Sequence, residues 1–132
     1  MKIKVVSIPV LDQEKALTFY TEILDFVIKQ DIPLGDGNRW LTLVSKEDLK
    51  GPEILLEPSP KHFEPSKVYQ EKLYQAKIPY TQLYVVDINA IYEKLKTKNV
   101  NFITTPTNAG SVYLAVFDDT CGNLIQLIQP KG

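Results

Sequence analysis

A single cysteine, Cys121, leaves this 132-residue chain without an internal disulfide, a composition that suits a reducing interior. Histidine is equally scarce: His62 stands alone. Neither sign of charge is in excess, since 15 Lys and Arg face 16 Asp and Glu for a net charge of −1. That balance excludes a general nucleic-acid binder, which needs a basic stripe. It also offers no broadly acidic surface for a cationic ligand, although one local cleft can still be acidic. No apolar run approaches the ~18 residues of a membrane span. The opening stretch, 1-MKIKVVSIPV-10, starts with a charge but meets Pro9 and Asp12 too soon for a signal peptide. Also absent are a glycine-rich phosphate loop, Cys/His zinc spacing, a serine-centred elbow and a basic cluster interleaved with aromatics. The expectation is a cytoplasmic protein with no nucleic-acid and no membrane partner.

What is present is ordinary globular material, 44 % apolar and 23 % charged, enough for one domain. Residues 3–10 read as a strand. Asp12 is a good N-cap for a helix over 13–24, with Ala16, Phe19, Tyr20 and Ile23 on its apolar face. Strands are expected at 25–32, 39–45 and 53–58, with a turn at 33–38. Residues 59–79 are polar, hold Pro60, Pro65 and Pro79, and read as a linker with a short helix near 66–76. The same order then begins again. A strand at 80–86 precedes a helix at 88–99, capped by Asp87 or Asn89, with Ile88, Ile91 and Leu95 on its apolar face. Strands at 100–106, 111–117 and 123–130 complete the second set. Local echoes support the repeat: 10-VLDQEKAL-17 against 85-VVDINAI-91, and 39-RWLTLV-44 against 112-VYLAVF-117.

These pieces resemble the vicinal oxygen chelate superfamily, which includes glyoxalase I, the bleomycin resistance proteins and certain dioxygenases. The stretch 10-VLDQEKALTFYTEILDF-26 is similar to the family's opening motif, with Asp25 where glycine is usual. The turn 117-FDDTCGN-123 is similar to its closing motif, with Thr120 and Cys121 where proline and aspartate are usual. The resemblance implies an α+β fold, a single glyoxalase-like domain over residues 1–132. It would consist of two βαβββ modules, about 1–58 and 80–132, with curved mixed sheets around a cleft. For many members it also implies a divalent metal, with ligands on the first and last strands of each module. Carried over, those positions fall on Val5, Tyr80 and Gln126, with Glu57 as the fourth within a register uncertain by two residues.

Val5 offers no donor, and a tyrosine is protonated near neutrality. Glu57 and Gln126 alone do not make a transition-metal site, and His62 lies in the linker, where it reads as a surface residue. No metal and no other cofactor is therefore the first expectation, with one divalent ion on Glu57 and Gln126 as the alternative. Alternation along the strands puts Ile3, Val5, Ser7; Tyr80, Gln82, Tyr84; and Leu124, Gln126, Ile128 on one face, apolar bulk mixed with a few polar groups. Trp40 and Tyr113, at echoing positions, are candidates for the cleft floor. The candidate ligand-binding set is thus Ser7, Trp40, Glu57, Tyr80, Gln82, Tyr113 and Gln126. Three functions stay open. The first is a metal-free protein that binds a small, partly apolar molecule, as a homodimer by family resemblance. The second is a lyase, isomerase or dioxygenase-type enzyme with an atypical oxygen-ligand site and Glu57 as candidate base. The third is a dimeric scaffold whose cleft is filled, with Gln126 and Gln82 bonded to each other or to trapped water. Bleomycin does not suit a chain with no strongly acidic surface. Arg39 reads as solvated or salt-bridged, and Cys121, in a turn with no base beside it, as non-catalytic.

Overall fold

Asp12 ends one strand and begins one helix. In the computed structural model, which describes residues 1–132, its backbone is extended and its carboxylate accepts from the Lys15 N–H at 2.8 Å. Before it runs β1 (Val5–Val10); after it, α1 (Gln13–Thr18). The expected α-helix to residue 24 stops short, because the chain relaxes into π-helical winding over Phe19–Ile23. That wider turn aims both Phe19 and Tyr20 into the core, their rings edge to face at 5.6 Å. Asp25 then closes the segment at φ 65° while the Phe26 N–H bonds the Tyr20 carbonyl at 2.9 Å. This left-handed position explains why glycine is usual there.

The first sheet adds β2 (Val27–Gly35), β3 (Asn38–Val44) and β4 (Glu53–Pro58), in the order β1-β4-β3-β2, with β1 parallel to β4 and the other pairs antiparallel. The turn expected at 33–38 shrinks to Asp36 and Gly37, both at positive φ, as a two-residue hairpin requires. Pro33 stays within β2 because that strand is an edge, where a missing N–H costs no ladder bond. Ile8, Val10, Leu41, Leu43, Ile54 and Leu56 share the buried face toward α1.

The expected linker is mostly helix: α2 (Ser59–His62) and α3 (Glu64–Gln75). Pro60 and Pro65 occupy first turns, where a proline lacks nothing the helix needs. The chain divides inside α3 into two units, Met1–Tyr69 and Gln70–Gly132.

The second unit repeats the plan with β5 (Thr81–Tyr84), α4 (Ile88–Thr97), β6 (Phe102–Asn108), β7 (Val112–Asp118) and β8 (Leu124–Pro130). Its strand order is β5-β8-β7-β6. Asp87, rather than Asn89, caps α4 by accepting from the Ala90 N–H at 3.0 Å. Ala115, Phe117, Ile125 and Leu127 form the buried face of this sheet, and Ile88 and Leu95 the buried side of α4. The fold is α+β, two four-stranded mixed sheets, each the product of one βαβββ module.

Candidate functional site

Cross-strand partners share a face, so the register decides which side chains meet. In the second unit Gln126 stands opposite Gln82 on β5 and Val116 on β7. Its own-strand neighbours on that face, Leu124 and Ile128, are buried, as is Val116, while Gln126 is half-buried and Gln82 exposed. No hydrogen bond joins the two amides, and neither is spent on another protein group. Tyr80 enters just before β5, its N–H bonded to the Leu124 carbonyl at 2.8 Å. It is half-buried at the same end of the face.

The turn before β8 holds this arrangement. Asp119 is fully buried, and its carboxylate accepts from the N–H groups of Cys121 (2.7 Å) and Asn123 (3.0 Å) and from the Asn123 side-chain amide (2.9 Å). Gln70, buried on α3, donates to the Cys121 carbonyl at 3.2 Å and to Asn123 Oδ1 at 3.1 Å. Cys121 is buried, 1 % exposed. Thr120 sits at φ 60°, a conformation a proline ring cannot reach, so the departure from the family motif goes with a different local backbone.

Tyr113 does not join this face. It pairs with Gln129 while Gln126 pairs with Val116, so it lies on the opposite side of the sheet, where Lys131 stacks on its ring at 4.7 Å. The residue truly equivalent to Trp40 is Leu114, because Thr42 pairs with Leu55 as Val116 pairs with Gln126. The sequence echo was one residue out of step, and a one-residue slip exchanges the two faces of a strand.

In the first unit the corresponding face carries Val5, Ser7, Thr42, Trp40, Glu53, Leu55 and Glu57. Ser7 is exposed, and Trp40 is half-buried with its indole N–H on Gln30 Oε1 at 2.7 Å. Ser7 pairs with Leu55 as Gln82 pairs with Gln126, so Leu55 is the counterpart of Gln126. Glu57 corresponds to Ile128 instead. By register, the fourth position that the resemblance implies falls on Leu55 rather than on Glu57, beside Val5, Tyr80 and Gln126. No three His, Cys, Asp or Glu side chains gather in a metal-holding group. Glu57 has another partner: His62 Nε2 lies 2.8 Å from its Oε2. His62 is half exposed and on α2, which follows β4 without a break and so swings the imidazole back over the strand end.

Arg39 points to the helix side, pairing with Asp31 Oδ2 at 2.7 Å and Glu14 Oε2 at 2.5 Å. These bonds, Asp31 first, raise the guanidinium above its ordinary range, and the same bond from Arg39 lowers the Asp31 carboxyl. Gln13 was invisible as a functional position because a lone glutamine at a helix start has no signature. It is buried, and its amide donates to the carbonyls of Arg39 (2.8 Å) and Leu56 (2.7 Å) and accepts from the Arg39 N–H (3.1 Å).

Comparison with known proteins agrees with the geometry. The family model for the glyoxalase/bleomycin resistance protein/dioxygenase superfamily matches residues 2–127. The uncharacterized protein YurT of Bacillus subtilis (strain 168) is 52 % identical over 129 residues, 98 % of this chain and 99 % of that one. Among solved structures, UcmS2 superposes with a TM-score of 0.81 at 33 % identity, covering 97 % of each chain. TnmS3, described as an antibiotic binding protein from Streptomyces sp. CB03234, gives a TM-score of 0.76 at 29 % identity, covering 99 % of this chain and 97 % of that one. With its paired βαβββ modules and a family match along almost its whole length, the chain belongs to the glyoxalase/bleomycin resistance protein/dioxygenase superfamily.

Proposed function

We propose that this protein binds a small, partly apolar molecule against the helix-free face of a sheet and needs no resident metal to do so. One observation carries the reading: Gln126 is half-buried between Leu124, Ile128 and Val116, and its amide has no protein partner. A polar group with unspent donors and an acceptor, framed by apolar side chains, is the usual composition of a small-molecule pocket. Likeness to an antibiotic binding protein supports the same reading. The donor set argues against metal chemistry. Val5 and Leu55 bring no donor, and Tyr80 and Gln126 bring neutral oxygens, which does not fit a zinc, nickel or iron ion. Tyr80 and Gln82 are the further proposed contacts beside Gln126 on the second sheet, and Ser7, Trp40 and Glu57 are the proposed contacts on the first sheet taken by itself. A homodimer and a cytoplasmic location belong to the same proposal.

The test is a thermal-shift screen of antibiotics, aromatic acids and thiol conjugates on protein purified without chelators, with metal analysis of the same sample. At least one compound is expected to raise the melting point, and Gln126→Leu is expected to weaken its binding by about tenfold, the worth of one net hydrogen bond of about 1.4 kcal/mol. A stoichiometric transition metal in the purified protein, or a screen with no shift from any class, would overturn the reading.

A further inference from the structure

The helix-free face of the first sheet contains a second unspent group, and it is charged. Glu53 opens β4, is 8 % exposed, and receives one hydrogen bond, from the Thr42 hydroxyl to Oε1 at 2.6 Å. Its second oxygen has no hydrogen-bond partner, and no cation pairs with it. Thr42 is fully buried, and Leu55, next on the same face, is buried too. Burying a carboxylate without a cation is costly, and a single hydroxyl does not replace its lost hydration. A purely structural role for this position would be served at lower cost by a neutral residue. Access comes from the side of β1, where Val5, the register partner of Glu53, is 39 % exposed and Ser7 is exposed as well.

We infer that Glu53 is the specificity group of the binding face on the first sheet, receiving an ammonium or another N–H-bearing cationic group of the ligand at its free oxygen. The inference rests on the proposed binding function and adds the chemical class of the ligand: an apolar body carrying one cationic head. Thr42 positions the carboxylate by holding Oε1, which leaves Oε2 for the guest. A chain with a net charge of only −1 thereby obtains local selectivity for a cation without an acidic surface.

A matched pair of probes tests this: 1-naphthylmethylamine and 1-naphthylmethanol, the same apolar body with and without charge, titrated by calorimetry at pH 7.5. The amine is expected to bind the full chain about tenfold more tightly than the alcohol, as a charge-assisted hydrogen bond predicts. Glu53→Gln, which keeps an acceptor for Thr42, is expected to bring the ratio near one while alcohol binding persists. Should Glu53→Gln not fold, the carbon-13 shift of the Glu53 carboxyl on adding the amine decides: movement supports the inference and its absence overturns it. Equal affinities in the native chain, or an amine preference that survives Glu53→Gln, would overturn the role of Glu53 and leave the binding function standing. No binding of either probe would overturn both.

Discussion

At Gln13 one side chain satisfies three backbone groups from two strands, tying the start of α1 to β3 and β4. Truncation to alanine would leave those buried groups without partners, each costing on the order of 1 kcal/mol. Gln13→Ala is therefore expected to destabilise the fold by about 2–3 kcal/mol, measured by urea denaturation. Thr120 runs the other way. A β-branched residue at φ 60° is strained, and glycine carries no such penalty. Thr120→Gly is expected to raise stability by about 1 kcal/mol, read as an upward shift in melting temperature. Neither residue is conspicuous in the sequence: the first depends on which carbonyls the fold brings near, the second on a dihedral angle.

Between elements, Arg39 links β3 to Asp31 on β2 and to Glu14 on α1. The Asp31 carboxyl is lowered in the folded chain, chiefly by the hydrogen bond from Arg39. A depressed carboxyl contributes stability above its unfolded value near 3.8, and that contribution is lost as pH falls through the folded value. Denaturation midpoints are expected to decline as pH falls below the unfolded value near 3.8 in the native chain, and less steeply in Arg39→Met. Tyr74, on α3, donates to Asp118 Oδ2 on β7 at 2.5 Å, and that bond raises its phenol. The sign is opposite here: the stability is present below the unfolded value near 10 and is lost as pH rises through the folded one. Tyr74→Phe is expected to flatten the alkaline limb of the stability curve, followed by the same denaturation measurement. The asymmetry between the two limbs separates the two contacts.

Each of the two units has its own sheet, capped helix and buried core, and Trp40, the single tryptophan, reports on the first of them. Asp119→Ala removes the acceptor of two buried backbone N–H groups in the second unit. It is expected to lower the urea midpoint seen by far-ultraviolet circular dichroism more than the midpoint seen by Trp40 fluorescence. Coincident midpoints would instead mark the two units as one cooperative body.

The sequence by itself determined the order of strands and helices within each repeat, the repeat itself and the Asp12 cap, because capping chemistry and apolar periodicity act over a few neighbouring residues, while the choice of Asp87 over Asn89 came from the structure. It also determined the scarcity of metal donors, which is a matter of inventory. Only the tertiary structure decided the faces. Tyr113 and Leu114 are adjacent in the chain, as are Leu55 and Leu56, and a shift of one residue in strand pairing sends each to the opposite side of its sheet. The pairing of His62 with Glu57 and the burial of Glu53 without a cation have the same origin. They follow from which strand lies beside which, and that is fixed by burying all the apolar rows at once rather than by any local stretch of sequence.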